Sequence, residues 1–326
     1  MARLDLYLMS PPGLTWALSG RSNFRSFAAT PVDPARALLE WITLADAIEA
    51  RGGRVLCLLP PPETKLTGLP YAAECGLLLA AAAATGAGET ARPRFLLPNM
   101  LPPHRRGERQ LWAEVADSLG VETVSVRGTW EAAGDVASFD ERTLLFFGGR
   151  TTEEGARDAA RFFACGRDPD RLVFVEIRQP AFHGNMAVLP LPFADRLLVC
   201  SDVIAPESLS RLRDRFGDAR LVPVTVEEVR AYATNGLPIG KDVLAPHLTP
   251  ARVQSLIEAL GLRVVLLPMH ELCEKGGGAA RCLVSHAELS TGALSIPSRY
   301  DYRSLRAALV DSLPPSLQSA LGVGRG

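Results

Sequence analysis

"DVASFDERTLLFFGGRTTEEGARDAARFFACGRDPDRLVFVEI", residues 135–177, decides how the chain is read. Two apolar runs flank the polar Asp140-Glu141-Arg142, the pattern of a hairpin. The amphipathic "TTEEGARDAARFFAC" follows and leads into a third run, "RLVFVEI". The unit is therefore strand, turn, strand, helix, strand. Pieces of it recur on both sides. Downstream, "AVLPLPFADRLLVC" (187–200) is a second hairpin, followed by helical "PESLSRLRDRFG" and the run "ARLVPV". "TPARVQSLIEALG" and "RVVLLP" repeat the pattern again. Upstream, "PARALLEWITLADAIEARGG" opens on Asp33-Pro34 and closes on Gly52-Gly53, as helix ends should, before "RVLCLL" (54–59). "CGLLLA", "RFLLPN", "RGERQLWAEVADSLG" and "ETVSVRG" complete the series.

No Pro/Gly/Ser-rich linker interrupts this order, so residues 1–326 read as a single domain. A doubly wound sheet would alternate strand and helix without inserted hairpins. The hairpins favour a ring of small mixed sheets around a central site. The tail "PSRYDYRSLRAALVDSLPPSLQSALGVGRG" reads as a terminal helix and a loose polar end.

Charge and composition narrow the partners. With 35 Lys+Arg against 36 Asp+Glu, the net charge of −1 offers no field for nucleic acid or anionic lipid. Hydrophobic residues make up 47% and mean hydropathy is +0.11, as in ordinary globular proteins. No stretch reaches the roughly 18 uninterrupted apolar residues of a membrane helix, and the N-terminus lacks a signal-peptide layout. The six cysteines (Cys57, Cys75, Cys165, Cys200, Cys273, Cys282) show no CxxC pair and no repeated spacing, so reduced cytoplasmic thiols are expected. His104, His247, His270 and His286 have no metal-ligand spacing, and neither a metal nor another cofactor is expected. A small-molecule partner remains, without nucleic acid or membrane, and a homodimer is compatible with this reading.

Three short stretches carry reactive chemistry. "TWEAAGDVASF" places Glu131 and Asp135 at a strand mouth, with small residues between them that let another group approach. "QPAFHGNMAVLPL" places His183 and Asn185 before an apolar strand. "ELCEKGGGAARCLV" places Cys282 just past Gly276-Gly277-Gly278. Each alone also fits a plain role: solvated acids in a turn, a packed histidine, an inert buried thiol. Together they are the inventory of nucleophilic catalysis, in which a thiolate attacks, an imidazole moves protons and a carboxylate fixes the imidazole.

These stretches resemble the guanidino-group-modifying enzymes, the pentein superfamily of dimethylargininases, arginine deiminases and arginine:glycine amidinotransferases. The resemblance runs through Glu131 to Asp135, His183 to Asn185, and Lys275 to Cys282. It extends to "MSPPGLTWALSGRSNF" ending in Asn23, "YAAECGLLL" with Glu74, "RFLLPNMLPPHRRGE" with Arg105 and Arg106, "FFGGRTTEEG" with Arg150, and "ATNGLPIG" with Asn235. It covers residues 5 to 290. It implies a five-bladed α/β propeller with pseudo-fivefold symmetry of strand-strand-helix-strand units, its catalytic groups projecting into a central channel.

The resemblance also implies roles. Cys282 attacks a guanidinium carbon, His183 protonates the departing amine and then activates water, and Glu131 orients His183. Glu74 and Asp135 cradle the cation, Arg150 with Arg105 or Arg106 holds a carboxylate, and Asn23, Asn185 and Asn235 line the substrate. Two departures matter. Deiminases carry Asp where this chain has Asn185, and Glu74 stands where relatives carry Asn or Asp. An amide accepts a hydrogen bond without supplying charge, which favours a substituted guanidine over plain arginine. The expected activity is a citrulline-forming, dimethylargininase-like hydrolase. Amidino transfer to an amine is the alternative, and a binder without catalysis a third reading, against which the retained nucleophile weighs.

Overall fold

The computed structural model describes residues 3–18, 23, 25–27, 30–80, 93–163 and 168–321. The end of the helical stretch "RFFAC", Cys165 included, and parts of the N-terminal loop lie outside the described residues.

Among the described residues the chain builds five three-stranded mixed sheets of one pattern. Strand β1 (Arg3–Met9) runs parallel to β2 (Arg54–Cys57), and antiparallel to a strand from the far end of the chain, Ser285–Ser290. The second sheet is β3 (Leu77–Leu79), β4 (Arg94–Leu97) and β5 (Glu122–Ser125). The third is β6 (Val136–Phe139), β7 (Arg142–Phe147) and β8 (Leu172–Glu176). The fourth is β9 (Val188–Leu191), β10 (Arg196–Val199) and β11 (Leu221–Pro223). The fifth is β12 (Leu237–Ile239), β13 (Asp242–Pro246) and β14 (Arg263–Leu267). Ser285–Ser290 is β15. In the second to fifth sheets the first two strands pair antiparallel, and the middle strand pairs parallel with the third. The first sheet keeps the pattern with β15 in the leading place.

Local chemistry explains the units. The β6–β7 turn is Asp140-Glu141, both at positive φ (51° and 59°), as a two-residue hairpin of the strands' own twist requires. A parallel pair needs a crossover, which here is a helix. Pro34–Glu49 joins β1 to β2, Glu108–Ser118 joins β4 to β5, Glu153–Ala160 joins β7 to β8, Pro206–Phe216 joins β10 to β11, and Ala251–Ala259 joins β13 to β14. The first opens as its sequence implies: the Asp33 side chain accepts from the backbone N–H groups of Ala35 and Arg36, and Pro34 takes the first helical position. Its buried stripe includes Trp41, Ile42, Ala45 and Ile48.

Apolar clusters join neighbouring sheets. Leu6, Leu8 and Leu56 pack with Leu78, Phe95 and Leu97. Phe146 and Val175 pack with Leu189 and Leu198. Tyr7, Met9 and Val55 pack with Leu237, Leu244 and Leu267. Among the described residues no helix is long and apolar enough to cross a membrane.

Candidate active site

The reactive side chains come from equivalent places. Glu74 lies just before β3, Glu131 and Asp135 before β6, His183 and Asn185 before β9, Asn235 before β12, and Cys282 before β15. Short helical turns carry most of them: Ala72–Glu74, Ala132–Asp135, Gly184–Ala187 and Ala280–Leu283. The repeat delivers one loop per sheet to a common place, and all seven side chains are buried.

His183 is the centre of the acid–base part. Its Nε2 lies 2.7 Å from Glu131 Oε2 and 4.0 Å from Asp135 Oδ2. Its Nδ1 lies 3.3 Å from Glu74 Oε1 without the geometry of a hydrogen bond. The ring packs against Gly134, where an added Cβ would sit 3.3 Å from it, so the small residue between Glu131 and Asp135 does admit the imidazole. Burial alone would lower the His183 pKa, but Asp135, Glu74 and Glu131 outweigh it and raise the pKa above the ordinary value.

The two acids beside it differ. Burial would raise the Glu131 pKa, yet the bond to His183 and the Arg150 charge bring it down to about 2. Glu131 also accepts from Leu101 N–H at 2.9 Å and lies 3.5 Å from Arg150 Nη1. Asp135 accepts from the Thr151 hydroxyl at 2.6 Å and from Gly184 N–H at 2.8 Å. Burial pushes its pKa up to about 6. Asp135 thus fastens the loop that presents His183.

Cys282 sits between two amides. Asn185 Nδ2 lies 3.6 Å and Oδ1 3.9 Å from the sulfur. Asn235 Oδ1 accepts from Cys282 N–H at 3.2 Å, and Asn235 Nδ2 donates to the Asn185 carbonyl at 3.3 Å. Asn235 therefore binds both loops into one piece. Burial, reinforced by the Glu74 charge, pushes the Cys282 thiol up to about 12, so the resting group is a thiol.

The arginines divide by position. Arg105 is buried and its guanidinium pairs with both Glu74 and Glu108. It also donates to the carbonyls of Gly68 and Tyr71. Arg150 lies 4.6 Å over the Phe182 ring at the cavity wall. Arg106 is exposed, donates to the carbonyl of Met100, and does not reach the cavity. The short turn Pro103–Arg105 turns one arginine in and the next out.

The glycine loop is close-packed. A Cβ at Gly278 would come within 2.5–2.6 Å of the Tyr71 ring and 2.9 Å of Cys282 Cβ. Gly277 has φ +87° and faces the Asn23 amide, which donates to Gly276 O at 3.2 Å. The glycines let Asn23 and Tyr71 close over the thiol. Gly278→Ala is expected to cost about 1–3 kcal/mol by overpacking and to displace Cys282. A variant with unchanged urea midpoint and unchanged turnover would refute that packing role.

The cavity is bounded by Glu74, Cys282, Arg150, Tyr71, Asn23 and Phe182, with a volume of about 60 Å³. That holds a few waters and is far below the roughly 300–1,000 Å³ of open ligand clefts. The ion network around it contains Glu74, Glu108, Glu131 and Asp135 against Arg105, Arg150 and His183. Even with His183 charged, one negative charge is in excess. A cation fits the deficit.

Sequence reading missed Tyr71, Thr151 and Glu108. Only Glu108 left a trace, three residues after Arg105 where a helical turn brings the pair together. Spacing along the chain also hid two surface groups: His247 and His270 meet at Glu274, and His286 meets Asp5 beside Glu288. In the first group His247 Nδ1 accepts from Met269 N–H. Its Nε2 then carries the proton shared with Glu274, which leaves no lone pair there for an ion. Cys273 is buried with its thiol pushed well up by burial.

No family model matches the chain. It is 25% identical over 283 residues to N(G),N(G)-dimethylarginine dimethylaminohydrolase of Mycobacterium tuberculosis (strain ATCC 25618 / H37Rv), covering 86% of this chain and 85% of that one. The fold is similar to that of the N-terminal domain of ArgZ, an arginine dihydrolase from cyanobacteria, solved covalently bound to a reaction intermediate. The TM-score is 0.74 at 19% identity, covering 86% of this chain and 97% of that one. A histidine-to-glycine variant of dimethylarginine dimethylaminohydrolase, solved as an adduct with S-methyl-L-thiocitrulline, gives 0.64 at 19% identity, covering 87% and 99%. The resemblance to guanidino-modifying enzymes thus holds in sequence and in fold.

Proposed function

We propose that the chain is a cysteine-dependent hydrolase cleaving a guanidino C–N bond of arginine or a substituted arginine, with citrulline as product. The observation that carries this is that Cys282 and Glu74 line one cavity, with His183 held 3.3 Å from Glu74 and 2.7 Å from Glu131. The sequence similarity to a dimethylarginine dimethylaminohydrolase supports it. Five sheets joined by shared apolar cores, the fifth to the first among them, support one domain closed as a five-bladed propeller around the site.

The steps follow from the charges. A bound guanidinium beside Glu74 offsets the charge that holds the thiol protonated, so substrate helps ionise Cys282, whose proton leaves to solvent. The thiolate attacks the guanidinium carbon. His183 Nε2 is tied to Glu131, so Nδ1, without a hydrogen-bond partner, gives a proton to the leaving amine as its C–N bond breaks. Water then attacks the thiouronium carbon, His183 takes its proton, and the C–S bond breaks to return the thiol and a ureido product. Arg150 at the cavity wall is placed for a substrate carboxylate, while Arg105 holds Glu74. Mass spectrometry of products from arginine and from methylated and hydroxylated arginines, with and without amine acceptors, tests the reading. Citrulline and a free amine are expected. Ornithine released only when an acceptor amine is present would replace hydrolysis by amidino transfer.

Asn185 is the proposed determinant of substitution. An Asp there would need guanidinium N–H partners that an alkyl group removes, leaving a buried charge unpaired at a cost of several kcal/mol. The wild type is expected to prefer a substituted arginine, and Asn185→Asp to shift the ratio of kcat/KM towards arginine. A ratio that does not move would place specificity elsewhere.

A further inference from the structure

His104 lines the same cavity as Cys282, Glu74 and Arg150, and the steps above leave it idle. It is half-buried, and no hydrogen bond or ion pair holds its ring among the described residues. Its backbone, by contrast, is fixed. Pro102 and Pro103 restrict the chain before it, and Arg105 N–H closes the turn on Pro102 O at 3.0 Å. Anchors stand on both sides: Leu101 N–H meets Glu131 Oε1 at 2.9 Å, and the Arg105 guanidinium pairs with Glu74. Those two acids flank His183, so residues 101–105 run along the site from one to the other.

Arg150 reaches the same wall. Its Nη1 lies 3.5 Å from Glu131 Oε2, on the carboxylate whose other oxygen holds Leu101. The other cation here, Arg105, is fully engaged by Glu74, Glu108 and the carbonyls of Gly68 and Tyr71. Once Cys282 and Glu74 take the guanidinium of a substrate, its opposite end is left with Arg150 and His104. Burial, then the Arg105 and Arg150 charges, lower the His104 pKa below the ordinary histidine value, with only Glu131 acting against them. The remaining titratable groups of the cavity are Glu74, paired with Arg105, and the Tyr71 phenol and Cys282 thiol, which burial keeps neutral. The ring therefore waits as a neutral imidazole beside two fixed cations, with one N–H where the imidazolium would offer two.

We infer that His104 is a substrate-binding residue that holds the substrate carboxylate together with Arg150, taking a proton from solvent as that anion arrives. This rests on the substrate being arginine-like, and narrows that reading to guanidines with a free carboxylate.

The test is calorimetric binding of arginine, and of its decarboxylated counterpart agmatine, to the Cys282→Ser protein with and without His104→Gln. Both ligands keep guanidinium and amine charged near neutral pH, so titration of His183 and Asp135 enters both alike. An opposite charge moves a nearby group by about 1–3 pH units, so arginine should bind about tenfold tighter at about pH 6 than at about pH 8, beyond any change shared with agmatine. Buffers of different ionisation enthalpy should show proton uptake with arginine. His104→Gln keeps a donor and cannot titrate, so it should abolish that excess and leave agmatine binding unchanged. Equal pH dependence for the two ligands, or an excess that survives His104→Gln, would overturn the inference, as would arginine failing to bind at either pH. If Gln does not fold, His104→Asn serves under the same criteria. Arginine binding with the expected pH dependence, but no citrulline from the protein with Cys282 intact, would support the inference and overturn the hydrolase reading instead.

Discussion

Cys282→Ser is expected to lower kcat by more than about 10⁴-fold while leaving the fold intact. The substitution is nearly isosteric, and the two amides that flank the sulfur, Asn185 and Asn235, can serve a hydroxyl as well. Chemistry is what disappears. A serine hydroxyl has no accessible anion at neutral pH, and no base stands ready to make one: His183 is held towards its charged form by Asp135, Glu74 and Glu131. The thiol faces a smaller version of the same problem. It rests near 12, and the charge of a bound cation beside Glu74 brings ionisation within reach. A cationic haloacetamidine should therefore modify Cys282 faster than neutral iodoacetamide does. Intact-mass measurement should show one adduct on wild type and none on Cys282→Ser. An adduct on Cys273, with Cys282→Ser still active, would transfer the role to the other buried thiol.

How much of this could be read along the chain depends on whether each cause is local. The hairpins were legible because Asp140-Glu141 between apolar runs is a turn by its own chemistry. The helix at Pro34 was legible because Asp33 caps it. The pairing of β1 with β15 was not, since Leu4 and Leu289 become neighbours only once the units between them are placed. At the site, residue types were legible and contacts were not. Asp135 was expected to cradle a cation, and the structure places it on Thr151 and Gly184 behind His183. Arg105 and Arg106 are alike in chemistry and adjacent, so nothing local says which one meets Glu74. Asn235 was expected against substrate and is instead bonded to the Cys282 backbone and the Asn185 carbonyl. The resemblance supplied the order of the motifs; the bonds between their loops depend on packing that no single motif contains.

His183→Ala is expected to lower kcat by about 10²–10⁴-fold, the size of a general acid–base contribution. Both halves of the reaction should suffer, since the same Nδ1 must protonate the amine and then take the proton of water. With a substrate whose leaving group departs unaided, the first half survives better than the second. The enzyme should then accumulate as a thiouronium, seen as a persistent mass increase on Cys282 that wild type does not show. The variant should also change in stability in a direction that pH reveals. Removing the imidazolium leaves Glu131, Glu74 and Asp135 enclosed with fewer positive charges, and Asp135 already holds its proton up to about pH 6. In the wild type the raised His183 pKa contributes stability that is complete below the ordinary histidine pKa and fades as pH rises through the raised value. The variant lacks that contribution. At acid pH its carboxylates can instead take up protons. Melting temperatures of the two proteins should therefore lie furthest apart near neutral pH and draw together towards pH 5. A His183→Ala enzyme keeping more than about a tenth of wild-type kcat would rule out the acid–base role. A gap in melting temperature that did not change with pH would mean that the imidazole is neutral in the folded protein, and the proton for the leaving amine would have to come from another group.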